Sequence, residues 1–370
     1  MHRARRLNVA VLLGAVVAMT LSMAVAGASG ASTKKSDNGI PAAEKVIASL
    51  TKRPTSIGIT VPIKKPIPKN ETVDFLVCPI TDCTILEPVD KAAVKVLGWK
   101  ANFINDGLTP EALDNAMNLA ISQHPGAIFV GGFARSEMNS EIAKAKADHI
   151  PIFDSFVADK PGNGITAVTV GTPSTLIGGG HIADWVLAKK GKSANVLFVT
   201  SSTFPDVIVR QQGFTDQYKK LCPSCKMTVL NAPASTFGTT LPGSIVAKLK
   251  SDPSINYVVA GEPDAIIGLP QAMSSAGLQT PIVSGYVDPT GIAYLRDHTQ
   301  LQALVEHGSA LAQWESVDAF ARYLTGQSVK PDEGSMPSWV ITPAIAAHFH
   351  RPYIQEANYE AQFKKLWGIK

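Results

Sequence analysis

The sequence predicts an α/β protein of two similar lobes, each a parallel sheet wrapped in helices. Three observations lead there. From Thr72 onward, short apolar runs alternate with amphipathic helical stretches. Such alternation means strands covered on both faces and joined by right-handed crossovers. The pattern then starts again after Gly171-Thr172-Pro173, and 370 residues, 45% hydrophobic and 17% charged, suffice for two cores.

Arg3, Arg5 and Arg6 precede an apolar run from Leu7 to Ala26, with small residues at Ala24, Ala26, Ala28 and Ala31. Residues 1–26 are therefore expected to be a secretory signal peptide, cleaved after Ala26 or a few residues later. The alternative is an uncleaved anchor, since roughly 20 apolar residues can span a bilayer. No cysteine stands near the site for a lipid anchor. Residues 27–71 hold a polar linker (Gly30–Asn38), a short helix (Pro41–Leu50) and a strap, Thr60–Pro68, whose three prolines exclude a central strand.

The first lobe is predicted over 72–171 plus 308–333. Val73–Val77 is a strand; Ala92, Val96 and Leu97 give one side of a helix that Gly98 ends; Ala101–Ile104 is the next strand. Thr109-Pro110 opens a helix carrying Leu113, Met117, Ala120 and Ile121, and Pro125-Gly126 stops it before the strand Ala127–Val130. A helix over Glu137–Asp148 and strands at Pro151–Asp154 and Ile165–Val170 follow. Ligands in such sheets sit beyond the carboxyl ends of strands, which puts Pro79–Thr84 and Gly131–Phe133 at a binding edge.

The second lobe is predicted over 172–307 plus 334–370. Its helices are Ser174–Lys189, Asp206–Leu221, Gly243–Lys250, Ala265–Ala276 and Pro289–Asp297. Its strands are Asn195–Val199, Met227–Leu230, Tyr257–Ala260, Ile282–Ser284, Leu301–Val305 and Trp339–Ile341. Leu311–Leu324 is a long helix stopped by Gly326, and the tail from Pro343 reads as packed helical turns. Two such lobes with crossings in the middle and near the end suggest a hinged cleft.

Without residues 1–26 the chain carries 31 basic and 30 acidic residues, which gives no electrostatic case for a nucleic-acid partner. The cysteines fall as Cys78/Cys83 and Cys222/Cys225. In an exported protein two local disulfides are the default. The alternatives are a four-cysteine zinc site and a redox Cys-Pro-Ser-Cys motif. The latter follows a helix, whereas a reactive thiolate is favoured at a helix N-terminus.

Gly-x-Ser-x-Gly, His-Glu-x-x-His and Walker patterns are missing, so no catalytic residue is assigned. Gly178-Gly179-Gly180 follows no strand and is expected to serve close helix packing rather than a phosphate. His348 and His350 lack further ligands, and neither a metal nor another cofactor is expected.

From about Thr72 to Ile341 the chain resembles a type I periplasmic solute-binding protein of the ribose-binding-like group that serves ABC importers. The likeness rests on ordered pieces: Leu97-Gly98-Trp99, His149-Ile150-Pro151-Ile152 ahead of Asp154, Arg210-Gln211-Gln212-Gly213-Phe214, Gly261-Glu262-Pro263-Asp264 and Tyr323-Leu324-Thr325-Gly326. The resemblance implies two Rossmann-like lobes joined by a hinge of three crossings, near Gly171, His307 and Asp332. Ligand is held between the lobes and closes them. It implies an exported monomer, periplasmic or at the cell surface, that captures a small polar solute and delivers it to a membrane permease. The alternatives are a sensor whose closed form signals to a membrane receptor and, further off, an exported thiol-disulfide enzyme. Residues 27–71 depart from the family pattern.

Asp154 matches the family aspartate that accepts ligand hydroxyls, although Ser155 stands where sugar binders carry arginine. Arg210, four residues before Phe214, matches the ligand-facing arginine. Asp82 and Thr84 occupy the first loop, where relatives place asparagine and aromatics. Glu262 stands where asparagine is usual, a change that suits a cationic or hydroxyl-rich ligand. Asp288 lies one residue from a family aspartate, and His307 replaces a hinge glutamine or asparagine. Phe133, Phe156, Phe204 and Phe237 follow strands and are candidate apolar walls, while Trp185, Trp314 and Trp339 are expected in the core.

Overall fold

The computed structural model describes residues 39–334, 336–349 and 358–369, without the side chains of Glu306 and His307. All lie within one unit, Ser36–Lys370. The signal peptide expected at 1–26 falls outside the described residues.

After α1 (Ile40–Leu50), the chain builds β1 (Thr72–Val77), α2 (Thr81–Thr84), α3 (Glu87–Leu97), β2 (Lys100–Asn105), α4 (Pro110–Ser122), β3 (Ala127–Gly131), α5 (Asn139–Ala147), β4 (Ile152–Ser155) and β5 (Ile165–Val168). These strands form a parallel sheet in the order β2-β1-β3-β4-β5. Local chemistry sets the helices: Thr109 Oγ1 accepts from Ala112 N at 3.3 Å, and Pro110 occupies the first turn of α4. The buried stripe of α4, Leu113, Ala116, Met117, Ala120 and Ile121, then packs on one sheet face.

The second half comprises α6 (Thr172–Lys190), β6 (Asn195–Thr200), α7 (Pro205–Leu221), β7 (Lys226–Asn231), α8 (Leu241–Ser251), β8 (Tyr257–Ala260), α9 (Leu269–Ser275), β9 (Ile282–Gly285), α10 (Pro289–Arg296) and β10 (Leu301–His307). After α11 (Ser309–Leu324) come β11 (Ser338–Ile341), α12 (Pro343–Ala346) and α13 (Tyr359–Leu366). The sheet order is β11-β10-β9-β8-β6-β7, parallel except for the edge strand β11, which is antiparallel to β10. α11 is buried in the first core, so the chain passes between sheets after β5, after β10 and before β11.

Two sequence expectations change. The helix expected at Ala265–Ala276 is split, because Gly268 takes a left-handed φ of 74° between a 3-10 turn (Pro263–Ile266) and α9. The tail assigned to the second lobe divides. α12 lies beside β11, but α13 inserts Tyr359, Phe363, Leu366 and Trp367 into the first core. Those positions share one helical stripe, and Trp367 stacks on Trp314 with centroids 5.3 Å apart. Residues 39–67 also serve both lobes: Ala43 and Ile47 pack in the second, and Ile57, Ile59 and Ile63 in the first.

The glycine run has the packing role expected of it. A Cβ on Gly179 would stand 2.1 Å from the Arg210 carbonyl oxygen, and one on Gly213 2.1 Å from that of Leu176. α6 and α7 therefore touch backbone to backbone. Gly179→Ala should force them apart and lower unfolding stability by about 3 kcal/mol, the upper end for overpacking. A urea midpoint equal to wild type would show that the helices separate freely.

Candidate functional site

Between the two sheets, beyond the carboxyl ends of β1, β3, β4, β8 and β9, lies a cavity of ≈110 Å³. That is room for several waters, or for one small molecule in their place. The first lobe supplies Asp82 on α2, Asp90 on α3, Phe133 after β3, and Ser155 and Phe156 at the end of β4. The second supplies Phe204 and Asp206 where α7 begins, Glu262 after β8 and Tyr286 after β9. Gln313 and Ser316 of α11 complete one side.

The repeated architecture places two aromatics in equivalent positions. β4 and β9 are each the fourth strand in their sheets, counted from β2 and from β7. Phe156 and Tyr286 are the residues that follow them, with left-handed φ of 55° and 53°. Such a backbone costs a bulky residue of order 1–3 kcal/mol and marks a site held in shape by its surroundings. The two rings meet edge to face across the lobes, centroids 5.7 Å apart.

Behind Tyr286 lies Arg210. Its side chain is fully buried, its guanidinium carbon is 3.7 Å from the Tyr286 ring centroid, and none of its three nitrogens has a hydrogen-bond partner. Tyr286 donates its hydroxyl to Asp206 Oδ2 at 2.8 Å. The acids crowd one another. Burial first, then the Asp264 and Asp288 carboxylates, push Asp82 well above the usual range. Burial, then Asp264 and Asp82, do the same to Glu262. Asp264 is raised to about 6 by burial and Asp288. Asp206 is also raised by burial, against the opposing pull of Arg210.

Of the residues expected from the sequence, Asp82, Phe133, Phe156 and Glu262 line the cavity, and so does Phe204. Asp82 N–H also reaches Asp264 Oδ2 across the lobes at 3.4 Å. Glu262 Oε2 accepts from Asp264 N at 3.2 Å, while Oε1 has no partner.

The structure does not bring the rest into the wall. Asp154 is buried on the opposite face of β4, because Phe153 and Ser155 take the cavity side and side chains alternate; its Oδ1 accepts from Ser155 N at 2.9 Å. Thr84 is exposed and donates its hydroxyl to the residue that precedes α2, at Ile80 O, 3.3 Å away. Phe237 packs against the second core. Asp288 caps α10, accepting from Gly291 N at 2.6 Å and Thr290 N at 3.2 Å. His307 ends β10, and its side chain lies outside the described residues.

Asp90, Asp206 and Tyr286 are wall residues the sequence reading missed. Asp90 had a signal: the buried stripe of α3 is Val89, Asp90, Ala93, Val94 and Leu97, not the Ala92–Val96 side, and a carboxylate within an apolar stripe is unusual. Tyr286 was readable as the counterpart of Phe156.

Both disulfides form as the default reading has them. Cys78–Cys83 (Cα–Cα 5.6 Å) lies in the cavity wall, and Cys222–Cys225 (5.4 Å) closes the end of α7. This pairing leaves no thiolates for a zinc site. Cys222 and Cys225 are buried, which withholds them from a redox partner. No helix among the described residues is long and apolar enough to cross a membrane.

A family model described as a periplasmic binding protein domain matches residues 87–328, more than half of the chain. A D-apiose import binding protein of Paraburkholderia graminis is 25% identical over 258 residues, 69% of this chain and 81% of that protein. A 5-methylthioribose transporter solute-binding protein of Thermotoga lettingae, in complex with 5-methylthioribose, superposes with a TM-score of 0.66 at 18% identity, over 84% of this chain and 95% of that one. A Mycobacterium smegmatis protein in complex with β-D-fucofuranose gives 0.62 at 19% identity, over 80% and 98%.

Proposed function

The chain belongs to the periplasmic binding protein family, and we propose that it is an exported, monomeric solute-binding protein that captures a small polyhydroxylated ligand between its lobes. It delivers that ligand, outside the membrane, to the permease of an ABC importer. The family is one of binding proteins rather than enzymes. The observation that carries the proposal is the interlobe cavity backed by Arg210, a fully buried cation whose donors are all unpartnered. Arg210 supports the Tyr286 wall from behind, and a ligand that touches the walls of both lobes gains its full binding free energy only in the closed form. The solutes named for the relatives, D-apiose and 5-methylthioribose, are likewise small and polyhydroxylated.

Melting temperatures measured against sugars, polyols and their amino derivatives should rise for at least one compound. Arg210→Ala should then weaken that compound by about 1.5–3 kcal/mol, about ten- to a hundredfold or somewhat more. Small-angle scattering should show compaction with the wild type. A panel without a single thermal shift, or binding that ignores Arg210, would sink the proposal.

A further inference from the structure

From carboxylates brought together by both lobes around one aromatic-walled cavity, we infer that the ligand is a cation: a small polyhydroxylated molecule carrying an ammonium group. The inference rests on the solute-binding reading of the same cleft and goes on to its charge.

The wall carries Asp82 and Asp90 from the first lobe and Asp206 and Glu262 from the second, and no lysine, arginine or histidine. Two of these acids are buried with an oxygen that has no hydrogen-bond partner: Asp90 is 3% exposed with Oδ1 unpartnered, and Glu262 is 4% exposed with Oε1 unpartnered. Arg210 is the nearby cation, and it stands closest in charge to Asp82 and Asp206. Among the described residues the cation that acts on Asp90 is Lys91 of its own helix, whose ammonium is largely in solvent and pairs with Glu87 at 3.6 Å. Glu262 is surrounded by further acids, Asp264, Asp82 and Asp206. The cleft therefore holds more carboxyls than the protein supplies cations to balance, and burial and neighbouring acids hold Asp82, Asp90 and Glu262 toward their neutral forms until a cation enters.

The division between lobes gives this excess a role. Across the cleft the first-lobe Asp82 lies close enough to the second-lobe Asp264, Asp288 and Asp206 for their charges to oppose its ionisation, while its backbone N–H meets Asp264 Oδ2 at 3.4 Å. Like charges that close repel more as water is excluded, so without a cation the carboxyls must take up protons to remain there. A neutral polyol makes hydrogen bonds there but leaves that cost in place. An ammonium group between the lobes removes it, so its binding free energy appears selectively in the closed form.

A bare metal ion does not suit the site. Among the described residues no cluster of three or more His, Cys, Asp or Glu is arranged to hold one. Phe133, Phe156, Phe204 and Tyr286 present rings to the cavity instead, and aromatic faces attract an ammonium while covering its carbon skeleton.

Matched pairs test the charge: D-glucosamine with D-glucose, D-galactosamine with D-galactose, and 1-amino-1-deoxy-sorbitol with sorbitol, by calorimetry on the oxidised protein. At least one amine should bind ten or more times tighter than its hydroxyl counterpart. Glu262→Gln should reduce that preference at least tenfold while circular dichroism stays that of the wild type. If a hydroxyl compound binds as tightly as its amine, or Glu262→Gln leaves the preference intact, the inference is overturned and the solute-binding reading stands. If no pair and no wider panel of sugars and polyols binds, both are overturned.

Discussion

Arg322→Met should destabilise the ligand-free protein by about 3–5 kcal/mol, the cost of breaking a buried ion pair from one side. Arg322 on α11 is fully buried, with Nε 2.7 Å from Asp318 Oδ2 and 3.1 Å from Asp332 Oδ2, both carboxylates buried as well. Its Nη2 donates to Val61 O at 2.7 Å, and Trp367 Nε1 donates to Asp318 Oδ1 at 2.5 Å. One guanidinium thus joins α11, the strap, the passage into β11 and the C-terminal helix. Methionine fills the space of the stem but leaves two acids facing each other without water. Burial and the Asp318 carboxylate already push Asp332 upward. The urea midpoint should fall with an unchanged m-value. Arg322→Met combined with Asp318→Asn and Asp332→Asn should recover part of the loss, because it removes the stranded charges. A loss below about 1 kcal/mol in the single variant would mean that water reaches and screens the pair.

The order of elements was legible because each strand of the parallel sheets is a short apolar run and each helix carries its own start and stop residues. The site was legible in part. Glu262 and Asp82 were found because they lie in the segments just beyond β8 and β1, at the carboxyl edge where the resemblance places ligand contacts. Asp154 was read from its resemblance to a family aspartate, yet the alternation of β4 sets it with Ile152, away from Phe153 and Ser155. Phe237 and Phe133 look alike locally; only tertiary packing sends one to a core and the other to the cavity. The lobe chosen by α13 depended on Trp314, 45 residues before Tyr359, and long-range stacking leaves no periodic trace. Arg210 was placed at the site, but its position behind Tyr286 arises from the left-handed turn after β9, which no glycine announces.

Asp106→Asn should stabilise the protein at pH 8 by up to about 4 kcal/mol and change little below pH 4. Asp106 follows β2, is fully buried, and neither carboxylate oxygen has a hydrogen-bond partner. Burial raises it to about 7, roughly three units above its ordinary value. A carboxyl raised in the folded state binds its proton more tightly there than in the unfolded chain. Its contribution to stability is therefore fully present below about pH 4 and is lost as the pH rises through about 7. Asparagine is close in shape to the neutral acid and keeps its place without ionising, so the two proteins should agree in acid and diverge above neutrality. Asp264, also raised by burial to about 6, bends the wild-type curve the same way and remains in the variant. The difference between the two curves isolates position 106. Urea unfolding from pH 4 to 8 measures it. A constant difference across that range would mean that Asp106 already ionises freely in the folded state, and the assignment would be withdrawn.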